Sequence, residues 1–128
     1  MNREIECEFI NKFIVKDKRE RLLFELAKKR GMAINRFCHG LEEILDKRKI
    51  IFAGEKLDVS EVYAEMRKRQ NGKTCYVIAE SDGEIVDLEK GINMCYNWAG
   101  GAVLIAGNVA FFKEEVEYGS PMKYILQA

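Results

Sequence analysis

The sequence predicts an α+β fold, with N-terminal helices packed on one face of a mainly antiparallel sheet of about five strands. Apolar residues at helical spacing dominate the first half of the chain, and apolar runs of strand length dominate the second half. Residues 102–112 carry no charge and contain a Gly-Asn pair at their middle. They predict a central hairpin with a type II′ turn, whose first strand is covered on both faces. Helices and strands that are segregated along the chain are typical of this fold class.

Apolar periodicity predicts five helices. The first covers residues 4–14, and the second begins after Asp17, which we expect to be its N-cap. The third has the clearest period, over residues 34–45, with apolar side chains at i, i+3, i+4 and i+7. Gly40 lies inside it and indicates either close packing against another backbone or a break in the helix. Two further helices are expected, one before and one after a strand at residues 74–80.

Strands are predicted where short apolar runs end at turn residues, at residues 49–53, 74–80, 102–106, 109–113 and 122–127. The last three follow one another closely and are expected to form a C-terminal β-meander. The segment between the second and third strands is long enough for a right-handed crossover. The final strand is apolar, and at the edge of the sheet it would pair with a second copy of the chain to form a homodimer.

Length and composition favour a single cytoplasmic domain. The 128 residues suffice for one core, and 48% hydrophobic with 33% charged residues is typical of a globular protein. Every uncharged run is far shorter than a bilayer span, so no membrane association is expected. The first residues carry charges too early for a secretory signal, and the small size and simple organisation favour a bacterial origin.

Neither a metal site nor a cofactor is predicted. The cysteines lie within apolar patterns and form no Cys-x-x-Cys pair, which favours reduced thiols in the core, at Cys7, Cys38, Cys75 and Cys95. His39 is the only imidazole, so a zinc site would lack its usual set of ligands. The sequence contains no nucleophile, zinc-protease or dinucleotide-binding motif, and we therefore assign no catalytic residue.

The net charge is zero but is divided unequally along the chain. Residues 1–73 contain 18 Lys and Arg against 13 Asp and Glu, whereas residues 74–128 contain 3 against 8. One interpretation is that solvated helix faces carry the cations and the sheet region carries the anions. The other is a dipolar molecule whose basic surface meets an acidic partner.

Arg36, His39 and Glu43 are candidate binding residues on the polar flank of the third predicted helix. His39 lies about one helical turn from both charged residues, where it would act as a general base or contact a ligand while Arg36 holds an anion. The alternative is a boundary histidine that bonds to a neighbour. Cys38 and His39 point about 100° apart on a helix, which makes them a poor catalytic or metal-binding pair.

Trp98, Glu115, Glu117 and Tyr118 are candidate partner-binding residues in the second half of the chain. Trp98 lies near the end of the fifth predicted helix, and the acidic stretch after the hairpin brings two of these carboxylates close to a tyrosine. Aromatic side chains are enriched at protein interfaces, and charged surfaces steer association. The alternative for the aromatic residues is partial burial over the sheet.

These observations favour a cytoplasmic protein that binds and regulates or neutralises a macromolecular partner, most simply a protein. One alternative is a small-ligand binder or enzyme that combines Arg36 and His39 with carboxylates of the turn at residues 80–87. A second alternative is nucleic-acid binding through basic helical segments, at residues 16–21, 28–30, 47–49 and 67–69. The lack of a catalytic motif favours the first interpretation.

Overall fold

A computed structural model describes residues 2–79, 82–117 and 119–128 of the chain. Its strands are β1 Ile50–Gly54, β2 Thr74–Ile78, β3 Glu84–Asp87, β4 Ala102–Ala106, β5 Val109–Lys113 and β6 Lys123–Gln127. The described residues form one six-stranded sheet in the order β1-β6-β5-β4-β2-β3, with every neighbouring pair antiparallel. The adjacency of β4, β5 and β6 confirms the predicted meander and the α+β class.

Helices cover both faces of this sheet. They are α1 Arg3–Phe13, α2 Lys16–Lys28, α3 Arg30–Cys38, α4 Val59–Arg69 and α5 Leu88–Asn97. Buried side chains of α1, α2 and α3 pack with one set of sheet residues, and those of α4 and α5 pack with the opposite set. The N-terminal helices therefore share one face, as predicted, and the two later helices cover the other.

The β4–β5 hairpin lies at the centre of both cores. Every residue of the two strands is buried, and the alternating side chains of Val103 and Leu104 enter different core clusters. Gly107 has φ 61°, whereas φ is negative at Asn108, as in a type II′ turn. The hairpin prediction is confirmed because the turn residues and the uninterrupted apolar strands agree with each other.

The third helix is shorter than its apolar period indicates. It ends at Cys38, Gly40 takes a left-handed conformation with φ 76°, and a short 3₁₀ helix follows at Leu41–Glu43. Of the two explanations offered for Gly40, the break in the helix is the one observed. Leu41 and Leu45, which follow the break, are buried in the same core as Phe37. This shared burial explains why the apolar period in the sequence continues past the end of the helix.

The start of α2 is set by tertiary contacts and not by a side-chain cap. Asp17 lies inside the first turn of the helix, and Val15 occupies the N-cap position without a side-chain hydrogen bond. The Val15 amide donates to the Ile44 carbonyl at 2.9 Å, and Arg19 Nε donates to the Ile14 carbonyl at 2.8 Å. The prediction of an Asp17 cap is therefore wrong, since these contacts fix the backbone two residues earlier.

The β2–β4 connection differs from the predicted crossover. β3, which the sequence pattern did not reveal, is a four-residue edge strand with a mostly exposed pattern and therefore has no buried apolar run. The chain forms this hairpin, continues into α5 and returns as β4 antiparallel to β2. A right-handed crossover joins parallel strands, so that prediction is wrong.

The C-terminal strand is not an edge strand. β6 lies between β1 and β5, because a segment from the first half of the chain pairs with it. The premise of a homodimer through β6 is therefore wrong, and the outer strands of the described sheet are β1 and β3. Among the described residues, no helix has both the length and the apolar composition needed to cross a membrane.

Candidate functional site

Three loops that are distant in the sequence meet at one end of the sheet. The Gly101 amide donates to the Cys38 carbonyl at 2.9 Å, and the Val116 amide donates to the Ala99 carbonyl at 2.9 Å. A side chain at Gly101 would place its Cβ 2.6 Å from the Cys38 carbonyl oxygen, so glycine is needed for this approach. These contacts join the end of α3, the α5–β4 loop and the segment that follows β5.

His39 and Glu115, two of the predicted site residues, are in contact at this junction. His39 Nδ1 lies 3.1 Å from Glu115 Oε2, and the two side chains are 50% and 40% exposed. The positions are separated by 76 residues, and the loop contacts described above bring them together. The pair links the end of α3 to the acidic segment after β5 while remaining accessible from solvent.

Glu115 belongs to a group of four neighbouring carboxylates, and we call Glu42, Glu43, Glu114 and Glu115 the acidic corner. The pKa of Glu42 is raised from its usual value first by burial, and then by the negative charges of Glu114, Glu43 and Glu115. Like charges disfavour the ionised form of a neighbouring carboxyl group. The acidic corner is therefore a region of accumulated negative charge and not a set of independent surface residues.

The nearest buried cation does not form an ion pair with the acidic corner. Lys113 Nζ donates to the carbonyl oxygens of Gly100 at 2.9 Å and Glu114 at 3.3 Å. Its pKa is lowered mainly by burial. The Tyr124 hydroxyl donates to Glu114 at 2.8 Å, and burial together with this carboxylate raises the pKa of Tyr124. Most of the negative charge thus remains directed towards solvent.

Trp98 lies in a shallow depression beside the acidic corner. The depression has a volume of about 360 Å³ and is lined by Ala79, Lys90, Asn93, Met94, Asn97 and Trp98. The indole nitrogen of Trp98 is buried and has no hydrogen-bond partner among the described residues, and a Cβ at Gly100 would lie 2.7 Å from it. The next residue, Ala99, bonds to Val116, so the depression and the acidic segment are held in a fixed relation.

Arg36 is an internal ion-pair partner. Its Nε and Nη2 atoms donate to the two carboxylate oxygens of Glu25 at 2.6 and 3.2 Å. Glu25 is buried on α2, and the hydrogen bond from Arg36 is the main cause of its lowered pKa. Arg36 thus fastens α3 to α2. It also lines an open depression of about 490 Å³ with Gly31, Met32, Asn35 and His39.

The proposed combination of Arg36 and His39 with the turn at residues 80–87 is not formed by the described residues. Asp82 bonds to Arg30 at 2.7 Å, while the carboxylate at His39 comes from Glu115. Glu80 and Ser81 lie outside the described residues. Burial and Glu115 raise the pKa of the Cys38 thiol, which disfavours a nucleophilic thiolate beside His39.

The remaining predicted residues have different outcomes. Glu43 is exposed within the 3₁₀ helix and belongs to the acidic corner. Glu117 is exposed in the segment that leaves β5, and Tyr118 lies outside the described residues. Sequence reasoning missed Glu42 and Glu114, although both are adjacent to residues it selected. Over the described part of the chain, no group of three or more potential ligands is placed to hold a metal ion.

Two of the predicted basic clusters lie at the other end of β6. Residues 67–69 end α4 there, where Arg69 donates to the Gln127 side chain at 2.7 Å. Residues 47–49 precede β1, whose first residue pairs with the C-terminal half of β6. The acidic corner lies at the opposite end of this strand, where Tyr124 contacts Glu114. Tyr124 and Gln127 are three residues apart, which is about 10 Å along an extended strand.

No protein-family model, curated protein or solved structure matches this chain.

Proposed function

We propose that this chain is a cytoplasmic binding protein that captures a positively charged protein partner through the acidic corner and thereby regulates or neutralises it. The observation that supports the proposal best is the junction of the three loops, which holds Glu115 beside His39 at 3.1 Å and so brings the acidic segment after β5 to the end of α3, next to Glu42 and Glu43. The contacts between the three loops fix these carboxylates in place. A cationic side chain from a partner would relieve the repulsion that the fold maintains.

The surroundings of the acidic corner suit a protein interface. Val116 is 45% exposed within the acidic segment, and the Trp98 depression begins beside it. Aromatic and methionine side chains surrounded by charged groups are enriched at protein interfaces, and a concentrated negative potential increases the rate of encounter with a basic partner.

Site-specific photo-crosslinking in cells tests the proposal. A photoreactive amino acid replaces Val116, and a matched probe replaces Phe24, which is 55% exposed on α2 and lies away from the acidic corner. We expect one basic protein to crosslink at position 116 and not at position 24. The purified partner should then bind with an affinity that falls as salt is raised, because salt screens exposed charges.

Charge-reversal variants separate a specific interface from general attraction. The pair Glu43→Lys and Glu117→Lys should weaken binding of the purified partner by about tenfold or more, since two favourable charge contacts become repulsive. The control pair Glu4→Lys and Glu20→Lys makes the same change of net charge on exposed positions of α1 and α2. Equal weakening by both pairs, or equal crosslinking at both probe positions, would contradict the proposal.

A further inference from the structure

β1 is an outer strand with an accessible edge. It pairs with β6 on one side, and the described residues place no strand on its other side. Ile51 and Phe52 are 36% and 38% exposed, so the strand presents apolar side chains as well as backbone groups. A strand edge of this kind is a template for pairing with another extended chain.

A β-bulge limits the length of this edge. Ile50 pairs with Leu126 and Phe52 pairs with Ile125, which leaves Ile51 as an additional residue. Phe52, Ala53 and Gly54 continue in regular register with β6. Bulges shorten and twist an edge strand, so this edge offers only a short regular segment for pairing. An added strand would be bound weakly unless side-chain interactions contributed as well.

Cations lie at the start of β1 and beside Phe52. Residues 47–49 lead directly into β1, and the Arg69 guanidinium lies 5.9 Å from the centre of the Phe52 ring. Asp46 pairs with Arg48 at 2.9 Å, and Glu65 lies 3.6 Å from Arg69. Three exposed or half-buried lysines near the strand form no ion pair with any described residue: Lys47, Lys49 and Lys56. The exposed carboxylate of Glu55, which follows β1, is also without an ion pair among the described residues, so the unpaired groups are three cations and one anion. The edge therefore has a net positive potential.

The positive potential argues against a second copy of this chain as the occupant. Antiparallel pairing of two β1 strands about Phe52 would bring the two Arg69 side chains to the same interface. Residues 47–49 of the two copies would lie at opposite ends of that interface. Like charges placed together across an interface oppose association. An occupant with carboxylates would have complementary charge and would still use the backbone groups of the edge.

We propose that the β1 edge captures a short, extended, acidic segment of another polypeptide as an additional strand. The backbone of that segment bonds to the outer groups of β1 around Phe52–Gly54. Its carboxylates lie against Lys47, Lys49 and Arg69. This site is separate from the acidic corner, which binds a basic partner in the proposed function, so either proposal can fail without the other.

A synthetic peptide probe tests the inference in solution. Acetyl-Glu-Glu-Val-Thr-Val-Glu-Glu-amide is titrated into ¹⁵N-labelled full-length protein while the amide spectrum is recorded. We expect the largest shift changes at the amides of residues 49–54. Binding should weaken at high salt, because the Debye length falls from about 10 Å at 0.1 M to about 3 Å at 1 M. Binding of a peptide with Lys in place of Glu at equal strength would overturn the proposal.

Two controls separate strand pairing from simple charge attraction. A peptide of the same sequence that is N-methylated at alternate residues keeps its carboxylates but loses half of its backbone donors, and it should bind at least about tenfold more weakly. In the protein, Lys47→Glu with Lys49→Glu should reduce binding by about tenfold. Lys28→Glu with Lys29→Glu, on the exposed end of α2, should have little effect.

Several results would overturn the inference. Undiminished binding of the N-methylated peptide would show that backbone pairing does not occur. If the Lys28 and Lys29 control lost as much binding as the Lys47 and Lys49 variant, peptide binding would depend only on the net charge of the protein. Tighter binding of a single-stranded oligodeoxythymidine at the same amides would assign the edge to nucleic acid. A dimer by light scattering that the peptide dissociates would assign it to a second copy.

Discussion

The two faces of the sheet bury charge in opposite ways. Under α1–α3, Glu6 is fully buried. Its carboxylate accepts hydrogen bonds from both terminal nitrogens of Arg30 at 2.8 and 2.7 Å and from the Tyr76 hydroxyl at 2.6 Å. Under α4 and α5, the buried amines of Lys113 and Lys123 donate to backbone carbonyls. One face encloses a charge with its opposite charge. The other encloses cations that are solvated by peptide carbonyls and, at Lys123, by the Tyr96 ring 5.4 Å away.

The charged groups around Glu6 stabilise the fold. The Glu6 pair is extended by Asp82, which also binds Arg30, so the charged groups join α1, α3 and the β2–β3 turn. Burial and Glu6 raise the pKa of Tyr76 to about 12, which keeps its hydroxyl a donor at physiological pH. Every charge in this network has an internal partner. In the acidic corner, Glu115 contacts His39 and Glu114 accepts from Tyr124, but no described lysine or arginine forms an ion pair with its carboxylates. We therefore propose a function for the acidic corner and not for the network.

Removal of Glu6 is the most severe test of this comparison. Glu6→Ala leaves Arg30 beside a cavity without its buried partner, and we expect a loss of about 3–5 kcal/mol in the free energy of unfolding. Urea denaturation followed by circular dichroism measures the loss. Glu8→Ala, on the exposed side of the same helix, should change stability by less than about 0.5 kcal/mol. Similar losses in both variants would mean that the network does not fasten the N-terminal helices.

Lys113 should have a smaller effect and a distinct dependence on pH. Lys113→Ala leaves the carbonyls of Gly100 and Glu114 without this donor, which costs about 1–3 kcal/mol. Because the folded pKa of Lys113 lies below 10.5, the unfolded state binds more protons in the interval between the two values. The stability contribution of Lys113 therefore rises as pH rises through that alkaline interval.

The measurement for Lys113 is a pair of stability curves. Chemical denaturation of the native chain and of Lys113→Ala, from neutral to alkaline pH, gives the difference in unfolding free energy at each value. The cost of the substitution should grow as pH increases towards 10.5. A cost that shrinks over this interval would mean that Lys113 is stabilised as a cation by an acidic neighbour, which would remove the contrast between the two faces.

Glu42 should give the smallest effect, with the opposite sign. Glu42→Gln removes one of the repelling charges of the acidic corner and should stabilise the protein at pH 7 by a few tenths of a kcal/mol, since Glu42 is only half-buried and solvent screens the charges around it. The folded pKa of Glu42 lies above 4.5, so the native state binds more protons than the unfolded state between the two values. The contribution of Glu42 to the free energy of unfolding therefore falls as pH rises through this interval.

Thermal unfolding across acidic pH measures the Glu42 effect. The stabilisation by Glu42→Gln should be absent below about pH 4.5 and complete above the raised pKa. Glu89→Gln, at an exposed position of α5, provides the matched control. A destabilised Glu42→Gln variant at pH 7 would show that Glu42 has a favourable partner, and the acidic corner would then resemble the Glu6 network.

Sequence reasoning succeeded where short-range patterns determine the structure. The type II′ turn at Gly107 was predicted from the local sequence, and the break at Gly40 was one of the two explanations that the local sequence offered for that glycine. The fold class also followed from local apolar periods. The place of β1 beside β6 could not be predicted, because the pairing joins distant segments and leaves no local period. The β2–β4 pairing was misjudged for the same reason.

The candidate site was only partly predictable. His39 and Glu115 were each selected from the sequence, but their contact depends on three loops that meet in space. The buried acid Glu6 did leave a signal, since it lies at helical spacing with the core residues Phe9, Ile10 and Phe13. An acidic residue on the apolar face of a helix indicates a buried partner. The sequence does not identify that partner as Arg30.

The positions of the strands in the chain also order the events of folding. The β4–β5 hairpin closes around two residues, a step that takes about 1–10 μs in isolated hairpins. β1 can pair only with the C-terminal strand β6, and this pairing closes a much larger loop. Among the described strands, β1 is also stabilised by only one neighbour, β6. Its amides should therefore be the first of the sheet to exchange with deuterium from the native state. A segment that binds at the β1 edge would therefore slow the exchange of these amides.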